Sequence, residues 1–547
     1  MSIPDKGAST GDRTFKRALV VWLLAAAAVA GTLYWVRLAI PVKMADAPSG
    51  RIACVSYSPY YKEGEAPFDA QLSVSPVRIE NDLRALSRRF DCVRTYSVGK
   101  GMAEVPTIAG KLGMKVLLGV WLNRNEHDNE EEMRTAVELA RGEKEAGSNT
   151  IQAIIVGNEV LQRGELPQAK LAEHIRRMRD ATGLPVTYAE GWGFWPTSRE
   201  IEKAVDFITI HILPYWEDKP VPVGNAVEYV RDIHAQIRAA FPGREILIGE
   251  TGWPSAGRQR WGAVPSIVNQ ARFIREFLVF AQQSGIRYNV IEAFDQPWKR
   301  LLEGTVGGYW GIFDSHGEPK FAMNGPVAED ARWIFGLAAG CVLALLFVGG
   351  GLISKSARNA YSVTVLALAG YTTGAVLAAQ LRHMLFSNRS SIEWAMTGAW
   401  TLLALATAAW IAGLLARQKL DFAVASIADF AVSQGRARWL GVVRAIWLFS
   451  LVVVDLPLVF DERYRDFPTL LFAPAVAGFG LLALATKTTR VQAEEKLMAA
   501  SIAAMGVAIL AIESPVNTSA VIWVGFGFLS TLSVAASAGL SSRAGGR

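Results

Sequence analysis

Ile154-Ile155-Val156-Gly157-Asn158-Glu159 and Ile246-Leu247-Ile248-Gly249-Glu250-Thr251-Gly252-Trp253-Pro254 are two short apolar runs, each ending in a glutamate. Runs of this length, bounded by glycine, read as buried strands. Each strand then presents a carboxylate at its C-terminal tip. Eight such strands occur in order: Ile52–Tyr57, Asp91–Tyr96, Lys115–Trp121, Ala153–Asn158, Pro185–Ala189, Asp206–His211, Glu245–Gly249 and Tyr288–Ala293. Polar, helix-patterned stretches separate them, among them 77–89, 131–146, 166–182, 226–240 and 266–284. This alternation predicts an α/β fold, a parallel sheet covered by helices. Eight units between residues 51 and 321 match a (β/α)8 TIM barrel. An open doubly wound sheet is the alternative. No Gly-x-Gly-x-x-Gly turn follows the first strand, which counts against a dinucleotide fold.

The chain is much longer than this barrel, at 547 residues, and 51% of them are hydrophobic. The mean hydropathy is positive. Arg13, Lys16 and Arg17 precede an apolar stretch over 18–36 that is long enough to span a bilayer. A cleaved signal peptide competes with an uncleaved anchor. The run exceeds a usual signal core and no small-x-small site follows closely, which favours the anchor. Apolar segments recur at 333–353, 361–381, 394–416, 440–459, 467–485, 498–512 and 519–540, the sixth of them short. Eight alternating spans starting inside put most loop basic residues on one side: Lys6, Lys355, Arg358, Arg417, Lys419, Arg436, Arg438, Lys487, Arg490, Lys496, Arg543 and Arg547 with the N-terminal set. Only Arg382, Arg389, Arg463 and Arg465 fall in the short outside loops. This bias orients the chain. The expected layout is a cytoplasmic tail (1–17), an anchor (18–40), a linker (41–50), a periplasmic barrel (51–321), a membrane domain of about seven helices (333–540) and a cytoplasmic tail (541–547). The localisation that follows is a bacterial inner membrane crossed several times. The net charge of +6 is then topological, with no basic patch that points to nucleic acid.

Reactive groups of a barrel sit at the C-terminal strand tips. Glu159 closes strand four and Glu250 strand seven, facing one another across the mouth. A carboxylate pair there suits glycoside hydrolysis. A separation of about 5–5.5 Å makes a retaining enzyme and about 6.5–9.5 Å an inverting one. Two structural buried carboxylates are the competing reading, disfavoured by the cost of burying charge without a role.

Gly157-Asn158-Glu159 and Gly249-Glu250-Thr251-Gly252-Trp253-Pro254-Ser255 resemble the signatures of glycoside hydrolase family 17, the β-1,3-glucanases. So do Val93-Arg94-Thr95-Tyr96 and Glu292-Ala293-Phe294-Asp295-Gln296-Pro297-Trp298-Lys299. The resemblance covers residues 51–321 and departs at Gln296, where the family often carries a second acid. It implies a retaining double displacement with Glu159 as general acid/base and Glu250 as nucleophile. Asn158 would bind the sugar 2-OH, and Arg94 would keep Glu250 ionised. The acid role calls for a raised Glu159 pKa. Tyr57, Tyr96, Trp192, Tyr215, Trp253 and Trp298 are candidate sugar platforms. His211 is either a sugar ligand or a hydrogen-bonded core histidine. Glu292 and Lys299 are further substrate-binding candidates, and Glu190 is a rival carboxylate at a strand end.

No cofactor is expected. The three cysteines form no metal motif, and the histidines show no ligand spacing. Cys54 and Cys92 lie on neighbouring strands, as a disulfide or as two buried thiols. The expected partners are β-glucan and the lipid bilayer, with glucan synthesis or export proteins as further candidates. The layout resembles membrane-bound proteobacterial family 17 proteins linked to β-(1,3;1,6)-glucan synthesis, including rhizobial ones. The second step has two acceptors, water in a hydrolase or a sugar hydroxyl in a transglucosylase. A nucleotide-sugar synthase is a poor fit, because Gln434 and Arg438-Trp439 miss the Gln-x-x-Arg-Trp spacing and lie in a short basic loop. A non-catalytic glucan sensor or export partner is the reading from another class. Asp455, inside a predicted span, is its best support.

Overall fold

The computed structural model describes residues 10–418, 424–431, 433–461, 463–485 and 491–544. Lys6, Lys419, Lys487, Arg490 and Arg547 of the expected inside set lie outside the described residues. The chain forms two compact units. One is Val42–Val327; the other comprises the chain up to Pro41 and from Ala328 onward.

The first unit is a barrel of eight parallel strands: β1 (Ile52–Ser56), β2 (Phe90–Arg94), β3 (Lys115–Val120), β4 (Ile151–Asn158), β5 (Val186–Gly191), β6 (Ile208–His211), β7 (Ile246–Thr251) and β8 (Arg287–Val290). Each pairs with the next, and β8 closes on β1. Closure removes the open-sheet alternative. The strands are nearly all buried because alternate residues serve two layers. Cys54, Cys92, Leu117, Ala153, Ile155 and Leu247 cluster together. Their neighbours Val55, Val93, Val116, Ile154 and Ile248 join the larger core with the surrounding helices. Cys54 and Cys92 stand in register on β1 and β2 and form a disulfide. The structure thus decides between the two cysteine readings.

Eight of the helices lie in this unit or lead to it. After α1 (Thr10–Ala39) come α2 (Pro76–Leu86), α3 (Val105–Lys111), α4 (Glu126–Glu145), α5 (Gln168–Thr182), α6 (Arg199–Ala204), α7 (Val223–Ala240), α8 (Ile267–Ser284) and the single-turn α9 (Arg300–Glu303). Local sequence sets their ends. Ser75, Asn125 and Ser266 accept hydrogen bonds from first-turn amides of α2, α4 and α8. Gly183 and Gly285 end α5 and α8 in the left-handed conformation that a Cβ disfavours.

The segment expected as a free linker, 41–50, is instead part of the barrel unit. Val42 and Val327 exchange backbone hydrogen bonds of 2.8 and 3.1 Å. The Ala47 amide donates to Met323 O at 3.0 Å, and the Gly325 amide to Asp46 Oδ1 at 2.6 Å. Composition did not show this, because backbone pairing between two irregular segments leaves no periodic pattern. Arg275 on α8 secures the far side. Its buried guanidinium donates to the carbonyls of Ala322, Asn324 and Gly325.

The second unit holds α1 and seven later helices: α10 (Ile334–Ile353), α11 (Ala360–Ser387), α12 (Ser391–Arg417), α13 (Gly435–Phe460), α14 (Thr469–Ala485), α15 (Ala493–Glu513) and α16 (Thr518–Ala544). Among the described residues, six helices are long and apolar enough to cross a membrane, by length and composition. They are α1, α10, α11, α12, α13 and α15. The segment at 498–512, short as a sequence run, gains a turn on its N-terminal side and belongs to this set. The shorter apolar helices are α14 and the stretch Thr518–Thr531 of α16. At 17 residues, α14 rises about 26 Å, a little less than the ~30 Å of a bilayer core.

Arg275→Met should release the 322–325 carbonyls, because no other cation replaces three charge-assisted hydrogen bonds. The expected loss is about 2–4 kcal/mol. It would be read as a lower unfolding temperature, with faster amide exchange confined at first to 322–327. Unchanged exchange there would show that the closing segment holds without Arg275.

Candidate active site

Two glycines shape the strand tips. Gly157 has φ 88° and Glu159 φ 52°, both in the left-handed region, and the β4–β5 register shifts between Ile155 and Asn158. The turn lifts Glu159 off the sheet while its amide still donates to Ala189 O at 2.8 Å. A non-glycine residue pays strain for this conformation, a pattern common at reactive sites. On β7, a Cβ at Gly249 would lie 2.5 Å from Thr209 Cγ2 and 3.3 Å from Arg94 Nη1. The missing side chain lets Arg94 pass beneath Glu250.

Arg94 ends β2 and is fully buried. Its Nη1 donates to Gly249 O (2.7 Å) and to Glu250 Oε1 (3.2 Å), and its Nη2 to Asn158 Oδ1 (2.6 Å). The Tyr96 hydroxyl lies 2.8 Å from Glu250 Oε1 and 3.0 Å from Ser56 Oγ. All these side-chain contacts fall on Oε1; among the described residues Glu250 Oε2 accepts no hydrogen bond. Asn158 Oδ1 is taken by Arg94, and its Nδ2 makes no hydrogen bond among the described residues. Burial pushes the Tyr96 phenol well above its ordinary value, with the Glu250 charge adding to it. Tyr96 therefore stays a donor.

His211 joins the two glutamates. Its Nδ1 is 2.7 Å from Glu159 Oε1, and its Nε2 lies 3.7 Å from Glu250 Oε1 and 3.3 Å from Arg94 Nη1. One ligand atom from each of Glu159, His211 and Glu250 lies within 4.8 Å of the others. This close approach brings one oxygen of each carboxylate to the same point of the mouth. It would also suit a metal ion, but the Arg94 guanidinium already places positive charge there. A second three-residue group, Glu126, Glu130 and His174, sits between α4 and α5. Its carboxylates are paired with Lys170 and Arg177.

The electrostatics correct one expectation. Burial raises Glu159, but the His211 hydrogen bond and charge, then Arg94 and Arg163, outweigh it and leave its pKa lowered. Glu292 is one of the buried carboxyls that is raised instead. Burial pushes it up to about 7, against Lys299, which lowers it. Lys299 Nζ contacts both Glu292 oxygens, at 3.0 and 2.8 Å. Glu292 and Lys299 thus pair with each other beside the site. Glu190 is occupied by the Tyr188 hydroxyl and the amides of Gln162 and Gly191.

The expected aromatic platforms divide. Tyr57, Tyr215 and Trp253 expose none of their surface. Their polar atoms are satisfied inside, by Asp82, Arg258 O and Val264 O respectively. These three rings are core, which corrects their assignment as sugar platforms. Strand-end position does not separate a ring that points outward from one wedged under a loop. Trp192 and Trp298 are half-buried and keep accessible faces. The Trp192 indole donates to Glu217 at 3.0 Å, and Trp298 meets exposed Phe68 edge-on at 5.3 Å.

Three contributors were missed. Asn289 Nδ2 donates to Ser56 Oγ and Gly249 O, at 2.8 and 2.7 Å, and braces both supports of Glu250. Ser56 is a polar residue at the tip of an otherwise apolar strand, a readable signal, whereas Asn289 lies within the mixed strand β8. Glu303, at the end of α9, has a raised pKa from burial, countered by Lys299, with the charges of Glu159 and Glu250 adding to it. It had no strand or motif to mark it.

A closed (β/α)8 barrel with two opposed, separately braced carboxylates at its strand tips defines a glycoside hydrolase. Residues 54–311 match the BtgE/BtgC glycoside hydrolase domain. The barrel belongs to this group, within glycoside hydrolase family 17. A glucan 1,3-beta-glucosidase of Arthroderma benhamiae is 26% identical over 260 residues, covering 44% of this chain and 82% of that protein. One from Schizosaccharomyces pombe is 28% identical over 264 residues, covering 44% and 79%. A glycoside hydrolase family 17 beta-1,3-glucanosyltransferase structure from Rhizomucor miehei is 25% identical, with a TM-score of 0.43, and covers 50% of this chain and 97% of that one.

The His211 contact yields a pH prediction. A hydrogen-bond donor that stabilises the carboxylate lowers its pKa, so His211→Asn should raise that of Glu159. An acid that must be protonated then works to higher pH. The alkaline limb of kcat/KM should move to higher pH, alongside any fall in the maximum. A limb that stays in place would mean that Glu159 is not the proton donor.

Proposed function

We propose that this chain is a membrane-anchored, retaining enzyme that acts on β-1,3-glucan by double displacement. The observation that carries the reading is the unequal bracing of two carboxylates whose oxygens lie within 4.8 Å of His211 and of each other. Glu250 is fixed through Oε1, which leaves Oε2 to attack the anomeric carbon. Glu159 gives its proton to the departing glycosidic oxygen, and a glycosyl ester forms on Glu250. The ester has no charge to repel Glu159, which keeps Glu159 ionised after it has given up its proton. It then takes the proton of the acceptor hydroxyl while that oxygen bonds the anomeric carbon and Glu250 leaves as a carboxylate. Asn158 Nδ2 serves the sugar 2-OH, and Trp192 and Trp298 offer faces to the chain. The curated relatives named as glucan 1,3-beta-glucosidases support the substrate.

The six long apolar helices support anchoring, and the basic bias of the loops supports a barrel outside the cytoplasm. A tethered enzyme there suits remodelling of the cell's own periplasmic glucan, with a sugar hydroxyl as acceptor. In water-accepting turnover the same site hydrolyses. A non-catalytic glucan sensor, the reading from another class, would not need a braced nucleophile with a free oxygen.

Glu250→Ala should lower turnover of β-1,3-gluco-oligosaccharides by ~10⁴-fold or more while the protein still folds. Proton NMR of the wild-type reaction should show the β-anomer released first. Products longer than the substrate would establish transfer, and shorter products alone hydrolysis. Undiminished turnover in the variant would remove Glu250 as nucleophile. A reporter fused after Phe321 should be active only when it requires export; a cytoplasmic reporter active there would overturn the orientation.

A further inference from the structure

The helical unit contains a cavity that the chemistry of the barrel does not use. It lies among α10, α11, α12 and the start of α13 and has a volume of about 280 Å³. One end is polar and basic, with Ser354, Ser356, Arg417 and Arg436; the deeper wall is apolar, with Phe347 and Trp410. Seven residues separate Phe347 from Ser354 on one helix and Trp410 from Arg417 on another, so the apolar wall runs about 10 Å inward from the mouth. The cavity is therefore amphiphilic along its length.

Its charge has no internal answer. Arg417 donates to Ser354 O at 3.3 Å, and neither Arg417 nor Arg436 meets a carboxylate among the described residues. The two serine hydroxyls lie 2.8 Å apart. Lys355, Arg358 and Arg438 follow at the same ends of these helices, so the mouth faces the side that the loop charges mark as inside. The space itself depends on two small residues. Gly350 and Gly413 line the cavity, and a Cβ at either would meet nothing within 4 Å.

We propose that this cavity binds one anionic phospholipid. The phosphodiester sits between Arg417 and Arg436, and an acyl chain lies against Phe347 and Trp410. Charge complementarity selects the headgroup, and the depth of the apolar wall selects a lipid over a soluble phosphoester. The proposal rests on the reading of these helices as membrane spans. It gives the helical unit a preference for the anionic inner leaflet beyond simple anchoring.

The test uses the full chain purified in detergent, with native mass spectrometry and thermal unfolding as readouts. Phosphatidylglycerol should be retained as one molecule per chain and raise the unfolding temperature. Phosphatidylcholine with the same acyl chains, and glycerol 3-phosphate alone, should do neither. Replacing both arginines (Arg417→Gln with Arg436→Gln) should weaken phosphatidylglycerol binding roughly thirtyfold, at about fivefold per lost charge. Gly413→Leu fills the space, improves helix propensity and should exclude the lipid while both arginines remain. Equal stabilisation by phosphatidylcholine would overturn the headgroup assignment. Equal stabilisation by glycerol 3-phosphate would make this a soluble-anion site and overturn the lipid. Wild-type binding in both variants would move the lipid elsewhere. A chain recovered without detergent in the soluble fraction would instead overturn the membrane reading, and this proposal with it.

Discussion

The guanidinium of Arg94 is the group on which the site depends. From the end of β2 it reaches Gly249 and Glu250 on β7, Asn158 on β4 and the His211 ring on β6. One buried cation thus ties four strand tips across the barrel mouth. A buried arginine is tolerated only when its donors are met, and here most are met by the residues that would do the chemistry. The cost of burying the charge is offset by the Glu250 carboxylate, the Asn158 and Gly249 oxygens. The same contacts fix Glu250 in one rotamer and hold the Asn158 amide by its oxygen. Gly249 is small because Thr209 above all, with His211 and Arg94 behind it, occupies the volume a side chain would need. The glycine of the Gly-Glu pair follows from this crowding, and the left-handed turn at Gly157 has its own cause in lifting Glu159 off β4.

Much of this was legible in the sequence. Strand tips are where an apolar run stops, so Glu159, Glu250, Arg94 and Tyr96 could be placed from the run boundaries. The barrel followed from alternation, and closure then required the tips to face one another. Less legible was anything decided by direction within a layer. Trp253 sits in the strongest motif of the chain, yet it is wholly buried, because Pro254 and the loop beyond turn its indole toward Val264. Tyr57 is likewise a strand-end ring held inward by Asp82 on α2. Period-two alternation says which face a residue takes on a strand, and it stops applying one residue past the end. Irregular pairing was also out of reach: 41–50 joins 323–327 through backbone groups, which any sequence can supply.

His211 shows how a histidine's meaning changes with its neighbours. As a residue at the end of β6 it was either a ligand or a core histidine. With Glu159 on one nitrogen and Arg94 and Glu250 near the other, it is a connection between the two reactive groups. The arrangement also explains why Glu292, and not Glu159, holds a raised carboxyl. Glu292 is buried against one lysine, whereas Glu159 has an imidazole donor and two guanidinium charges at hand.

The lowered Glu159 sits awkwardly with a proton donor and well with a proton acceptor. A double displacement asks one residue for both roles in turn. In the resting site Arg94 is paired with Glu250, and its charge also helps to lower Glu159. If Glu250 is esterified, as the proposed mechanism requires, Arg94 would lose its anionic partner, and its unbalanced charge would bear on Glu159. Each change after the first step therefore favours ionised Glu159, the form that accepts a proton from the second substrate. The bracing thus spends little on the first proton transfer and much on the second, so capture of the acceptor is the step that this arrangement of charges serves best.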